Sequence, residues 1–365
     1  MKCSMDTHAL KAALALLMNI VERKNTIPVL ATIRFDADDG KLKLTGTDLD
    51  NYLTIEVVAD IARPGCACLP ARQLQQISET VADGVIELDR ENSTARLSQG
   101  NLSYKLWTTS VDAFPEIPKF AQTPISADSP PLQALIDHTI FSITQEEGRY
   151  TLSGAKVLID KAGATFVTTD GHRLSLAKTN KIVSKKPMDV LIPRRALSLL
   201  RDLSHLTDSL RFGFDEDRLY VQIENVQLMS RFLSGQFPKW EAVIPKTFAR
   251  SVQFDSDEWS NALKQALIAA DPRSHYMHID FSDGTATLRA TNSGGETESA
   301  QAVVPATGDG EPITLGFNGR YLREIISVRK GRVALDINDP SSQVGVRLLG
   351  DSILDDYQHV LMPCR

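Results

Sequence analysis

At 365 residues, 42% hydrophobic and 24% charged, the chain exceeds one ordinary hydrophobic core, and its composition excludes wholesale disorder. No apolar run approaches the roughly 20 residues that cross a bilayer as a helix. Four cysteines, Cys3, Cys66, Cys68 and Cys364, are too few and too scattered for a disulfide framework, so a reducing cytoplasm is the expected setting. The net charge of −6 excludes a chain coated in phosphate-gripping cations; if nucleic acid is a partner, positive charge must gather on one surface.

In chain order, the first predicted element is an amphipathic helix with Leu10, Leu14, Leu17 and Val21 on one face. Its apolar patch, Ala12–Met18, lacks the small-residue cleavage pattern of a signal peptide and reads as core. A strand-like run then ends in Thr47-Asp48. A second helix starts at Leu69-Pro70-Ala71-Arg72 and continues through Leu74, Ile77 and Val81. The same order returns twice. The opening helices carry Leu132, Leu135 and Ile136, then Trp259, Leu263, Leu267 and Ile268. The strands end in Thr169-Asp170 and Thr291-Asn292. The second helices start at Ile192-Pro193-Arg194-Arg195 and Phe317-Asn318-Gly319-Arg320. Asp48, Asp170 and Asn292 stand at intervals of 122 residues, and Phe114-Pro115 and Phe237-Pro238 at an interval of 123. A period kept that closely marks an internal repeat.

Each unit reads helix, strands, helix, strands, an α+β order that predicts an antiparallel sheet with both helices on one face. Proline clusters after Phe114 and Phe237 separate the units, giving domains at 1–122, 123–246 and 247–365. An arginine occupies the same helix position in all three copies, at Arg72, Arg195 and Arg320, with Arg194 beside the second. Long cationic arms repeated without other polar reading groups suit a phosphate backbone followed without regard to sequence.

Catalytic signatures are missing. There is no phosphate-binding glycine loop, no His-Glu-x-x-His, and no second cysteine pair to join Cys66 and Cys68 around zinc. Asp48, Asp170 and His172 could be read as a metal-dependent hydrolase centre. Each follows a strand where a turn is due, however, and Asp-Gly is ordinary turn chemistry. Neither a metal nor a cofactor is expected.

Taken in order along the repeat, Asn25-Thr26-Ile27-Pro28-Val29-Leu30, Gly46-Thr47-Asp48-Leu49, Thr169-Asp170-Gly171-His172-Arg173-Leu174, Val243-Ile244-Pro245, Phe317-Asn318-Gly319-Arg320-Tyr321-Leu322 and Met362-Pro363-Cys364-Arg365 resemble the bacterial sliding clamps, the β subunit of the replicative DNA polymerase. The resemblance implies a non-catalytic protein: three clamp domains per chain and a head-to-tail homodimer closed into a ring. Helices would line the hole and sheets would form the outside. It implies duplex DNA through the ring, with the polymerase, a clamp loader and other short-motif proteins as partners and no membrane.

Carried over by position, it assigns DNA contact to Lys24, Arg72, Gln145 and Tyr150. It assigns a partner-peptide cleft to Leu152, Thr169, Gly171, His172, Arg173, Leu174, Pro238, Val243, Val360, Met362, Pro363 and Arg365, and dimer contacts to Tyr104, Leu106 and Ile268. Glu146, Thr151, Ala242, Ala269 and Cys364 depart from the family pattern. Those in the cleft, Ala242 and Cys364, leave open a paralogous clamp specialised for repair or for resisting a cleft-binding inhibitor.

Overall fold

The computed structural model describes residues 1–21, 27–121, 123–146, 148–292, 299–328, 330–350 and 353–364. Six α-helices are found among them: α1 (Thr7–Leu17), α2 (Ala71–Thr80), α3 (Ser129–Asp137), α4 (Arg194–Ser204), α5 (Ser256–Ala266) and α6 (Gly319–Ile326). They pack as pairs, α1 on α2, α3 on α4 and α5 on α6, one pair per repeat.

Local chemistry explains where the helices start. Asp6 accepts a bond from the Ala9 amide at 3.0 Å, and Asp255 accepts from the amides of Asp257 and Glu258. Asn318 accepts from the Arg320 and Tyr321 amides, satisfying donors that have no partner inside a helix. Pro70 and Pro193 stand at the corresponding cap positions of α2 and α4 without a side-chain bond. Leu10, Leu14 and Leu17 are buried, each contributing about 1.5–3 kcal/mol of apolar transfer. Trp259 of α5 is fully buried, stacked on Phe254 with ring centres 3.7 Å apart, and its indole N–H donates to the Pro305 carbonyl.

Three expectations need correction. A short strand precedes each opening helix: Lys2–Asp6 before α1, Ile125–Asp128 before α3 and Arg250–Asp255 before α5. These strands alternate exposed and buried residues over only four to six positions, too few to separate from the helix that follows. The first helix ends at Leu17, so Val21 is buried beyond it. The third opening helix ends at Ala266, and Leu267–Ala269 form a 3-10 turn that carries Ile268 outward instead of into the core.

The chain divides into two compact units, residues 1–126 with 209–232, and 127–208 with 233–365. In the first, an antiparallel sheet runs from the edge strand Leu102–Trp107 through Thr94–Gln99, Val85–Glu91 and Lys2–Asp6 to the long strand Asn51–Arg63. It continues into Val226–Arg231, Arg218–Ile223 and Ser209–Phe214. In the second unit, Met188–Pro193, Gly154–Ile159, Ala164–Thr169 and Arg173–Thr179 continue through Asp356–Leu361 into Val344–Leu348, Arg332–Ile337 and Arg250–Asp255. A separate four-stranded sheet has Ser299–Pro305 at one edge and Ile313–Asn318 at the other. Sheets of successive repeats therefore merge across two junctions, Tyr52 opposite Met229 in the first and Leu174 opposite Val360 in the second. Periodicity within one repeat carries no signal for this pairing.

Candidate functional site

The Thr-Asp turn that ends the third strand of each repeat has the same bonding in the two copies that are described. In the first, the Thr47 hydroxyl donates to the Asn51 carbonyl, the Leu49 amide donates to Thr47 Oγ1, and the Asp50 and Asn51 amides donate to Asp48 Oδ1. In the second, Thr169 donates to the Arg173 carbonyl, the Gly171 amide donates to Thr169 Oγ1, and the His172 and Arg173 amides donate to Asp170 Oδ1. Both carboxylates are thus used to close turns. The third residue is left-handed in each, Leu49 at φ 84° and Gly171 at φ 89°. A side chain at 171 would also meet Arg149 Nη1 at 2.8 Å. Arg149 Nη1 donates to the Asp170 carbonyl at 2.6 Å, and its Nε pairs with Glu146 at 3.0 Å. This straps the segment bearing Gln145 and Tyr150 to the turn.

Around the second turn, the residues expected to form the cleft separate into buried, half-buried and exposed positions. Leu174 and Val360 are buried in a cluster with Val167 and Leu176, covered by Phe237, Trp240 and Ile244. Val243 and Met362 remain 37% and 36% exposed, and Pro238 is exposed. The Met362 amide donates to the His172 carbonyl at 3.0 Å, and the Cys364 amide donates to the Gly316 carbonyl at 2.8 Å, fixing the C-terminal segment. Pro363 and Leu152 are half-buried, Ala242 is exposed, Thr169 is buried and His172 is exposed. Gly235, at φ 111°, approaches Thr151 so closely that a Cβ would lie 2.7 Å from its methyl. The Leu152-bearing turn therefore abuts the connector that carries Pro238. Arg365 lies outside the described residues.

Arg173, expected among the cleft residues, is turned into the interior. It is buried, with Nε 3.0 Å from Asp170 Oδ2, Nη2 donating to the Phe141 carbonyl at 2.6 Å and Nη1 2.6 Å from Glu324.

The repeated arginines occupy the second position of α2, α4 and α6. Cations there oppose the helix dipole at a cost of about 0.3–1 kcal/mol each, so helix stability does not explain them. Arg72 and Arg320 are exposed and Arg195 is half-buried; Arg320 also pairs with Glu324 at 3.0 Å. Arg194 is half-buried, donates to the Ile143 carbonyl at 3.0 Å, and has its basicity lowered chiefly by burial. Gln145, His172, Arg173, Arg194 and Arg320 line one cavity of about 270 Å³, joined by Arg273 and His275, which sequence reading missed. Those two sit in a loop after α5 that follows no repeat. Tyr150 is exposed on a 3-10 turn, and Lys24 lies outside the described residues.

Of the residues expected at the dimer contact, Tyr104 is half-buried and Leu106 buried on the edge strand, because Leu106 faces into the sheet's core. The exposed apolar side chains of that strand are Leu102 and Trp107, the latter 73% exposed. Ile268 is 83% exposed, and Val303 is exposed on the edge strand Ser299–Pro305. Trp107 and Val303 could have been found from alternation on strands ending a sheet, had the pairing order been known.

Among the described residues no group of three His, Cys, Asp or Glu side chains could hold a metal ion, and no helix is long and apolar enough to cross a membrane. Residues 1–118, 127–239 and 241–365 match the N-terminal, central and C-terminal domains of the DNA polymerase III beta subunit. The beta sliding clamp of Caulobacter vibrioides is 30% identical over 378 aligned residues covering 100% of both chains, and that of Pseudomonas aeruginosa is 28% identical with the same coverage. The crystal structure of the Pseudomonas aeruginosa DNA polymerase III subunit beta superposes with a TM-score of 0.91 at 27% identity, covering 100% of each chain. The Bacillus subtilis clamp, 21% identical and covering 100% of this chain and 99% of its own, reaches the same TM-score, a likeness of fold. A hydrolase centred on Asp48, Asp170 and His172, or a specialised paralogue, is not favoured. The chain belongs to the bacterial DNA polymerase III β subunit family, the sliding clamps, whose members are processivity factors and not catalysts.

Proposed function

We propose that the chain works as a head-to-tail homodimer, a ring of six similar domains that encircles duplex DNA and tethers the replicative polymerase and other short-motif proteins once a clamp loader has closed it. The corresponding domain boundaries are 1–122, 123–246 and 247–365, and the cytoplasm is the setting. The observation that carries this reading is the arginine at the same, dipole-disfavoured position of α2, α4 and α6. Three equivalent cations on repeated helices suit a uniform polyanion, and enclosure removes the need for strong grip, which reconciles DNA with a net charge of −6.

DNA contact is assigned to Lys24, Arg72, Gln145, Tyr150, Arg194, Arg195 and Arg320. The partner peptide is assigned to a floor of Leu152, Thr169, Leu174 and Val360 and a rim of Gly171, His172, Pro238, Val243, Met362, Pro363 and Arg365, held by Arg173. An apolar groove with few polar hooks suits a short segment with hydrophobic anchors. The ring contact joins the edge strand bearing Tyr104 and Leu106 to the surface bearing Ile268. Exposed Trp107 and Val303 on open sheet edges support that assignment.

The test is to load the protein onto nicked circular DNA and then linearise the circle. Retention on the circle with release from the linear form is expected. Release governed by salt alone, equal on both forms, overturns the reading.

A further inference from the structure

The Glu324 carboxylate stands between an exposed arginine and a buried one. Its Oε1 lies 3.0 Å from Nε of Arg320, one turn earlier on α6, and its Oε2 lies 2.6 Å from Nη1 of Arg173. The Arg320 side chain is 56% exposed, so a phosphate can reach it from solvent; that of Arg173 is 5% exposed. Arg194 of α4 lines the same cavity and also feels the Glu324 charge.

Beyond Arg173 the contacts continue into the turn before Leu174. Arg173 Nε is 3.0 Å from Asp170 Oδ2, and Oδ1 of that carboxylate accepts the His172 and Arg173 amides. Different nitrogens meet the two carboxylates, so Asp170 and Glu324 do not compete for one N–H. Tyr321, also on α6, has the Arg173 guanidinium 4.1 Å from its ring centre and the His172 ring stacked at 6.4 Å. The His172 carbonyl in turn accepts the Met362 amide. Contacts therefore run unbroken from Arg320 to the C-terminal segment of the proposed cleft.

Arg320 has two alternatives. It pairs with Glu324, or it turns to a phosphate of an enclosed duplex, and a polyanion competes for it. In the first state Glu324 divides its charge between a solvent-screened cation and a buried one. In the second its charge is left to Arg173, in surroundings where the attraction is screened least. Arg173 is then held more firmly against Asp170 and Tyr321, and the His172 turn is set in place before a peptide arrives. Such preorganisation raises affinity without adding a contact.

We propose that Glu324 is a positioning residue for the peptide cleft, acting through Arg173, and that Arg320 sets its strength: withdrawal of Arg320 by a DNA phosphate tightens the cleft on its peptide. The proposal rests on the clamp reading and adds a link between its two binding surfaces. Linkage is reciprocal, so a bound peptide also frees Arg320 for phosphate. Exposed ion pairs are weak, which limits the effect to about two- to fivefold.

The experiment titrates a fluorescein-labelled polymerase-derived peptide with the full-length chain, without DNA, and follows anisotropy. Arg320→Gln removes the exposed partner as a phosphate does, and is expected to tighten binding about two- to fivefold. Damage to α6 would weaken it instead. Glu324→Gln is expected to weaken binding, and adding Arg320→Gln to that variant is expected to change nothing further. Unchanged or weaker binding by Arg320→Gln, or a gain that persists without the Glu324 carboxylate, overturns the coupling. A native chain that binds no peptide overturns the clamp reading and the coupling together, whereas native binding that Arg320→Gln leaves unaltered overturns the coupling alone.

Discussion

The Arg173 guanidinium lies 4.1 Å from the centre of the Tyr321 ring and 2.6 Å from the carboxylate of Glu324, both on α6. Together with its bond to Asp170, this makes one buried side chain the tie between the His172 turn and a helix carrying one of the repeated arginines. Arg173→Met leaves Asp170 and Glu324 without their cation and is expected to destabilise the second unit by about 3–5 kcal/mol. Urea unfolding measures this. Arg173→Lys restores charge without the planar fork and should recover only part of the loss.

His359 is fully buried, its Nδ1 2.8 Å from the Ser175 hydroxyl and its Nε2 without a hydrogen-bond partner among the described residues. Burial first, and the nearby Arg173 second, hold its pKa well below the usual 6.5. The folded chain keeps this ring neutral while the unfolded chain protonates it as pH falls through 6.5. Its contribution is therefore complete above that value and diminishes below it, by at most about 1.4 kcal/mol per pH unit. Denaturation at pH 7 and pH 5 should show a larger acid loss for the native chain than for His359→Gln.

Leu49 holds a left-handed backbone at φ 84°, where its counterpart is Gly171. A β-carbon in this conformation costs about 1–2 kcal/mol, partly offset by the greater freedom of glycine when unfolded. Leu49→Gly is expected to stabilise the first unit by about 0.5–1 kcal/mol, visible as a higher thermal midpoint.

Met362→Ala with Pro363→Ala removes apolar surface from the cleft rim while leaving the Met362 and Cys364 backbone bonds in place. Binding of a polymerase-derived peptide should weaken at least tenfold, about 1.4 kcal/mol, with the dimer intact by sedimentation. Unchanged peptide affinity removes these residues from the cleft.

Ile268 presents an apolar side chain at 83% exposure on a 3-10 turn. Ile268→Asp places a charge in the proposed ring contact. Sedimentation at submicromolar concentration is expected to show monomer for the variant under conditions where the native chain remains dimeric.

Much of the architecture was legible because the repeat was legible. The strands ending at Thr47, Thr169 and Thr291 keep the 122-residue period, and the helices opening at Ala71, Arg194 and Gly319 follow it at intervals of 123 and 125. Long-range pairing was not. That Tyr52 lies opposite Met229, or Leu174 opposite Val360, depends on strand register between repeats, which no local pattern encodes. The same gap explains the site. Arg173 reads in sequence as one more cleft residue, yet its charge is spent inside, on partners 3 and 151 positions away. Arg273 and His275 line the arginine-rich cavity from a loop outside the periodic scheme.

The strand Asn51–Arg63 is completed on one side by Val226–Arg231, so part of the central repeat folds with the first. A central fragment excised at the sequence boundaries would have two raw edges, along Arg173–Thr179 and along Val226–Arg231, each stripped of the neighbour that covers its amides and carbonyls. Bare edges of that kind recruit other chains. The repeat is thus a unit of sequence pattern but not of autonomous folding, since both seams close only when strands from different repeats are present.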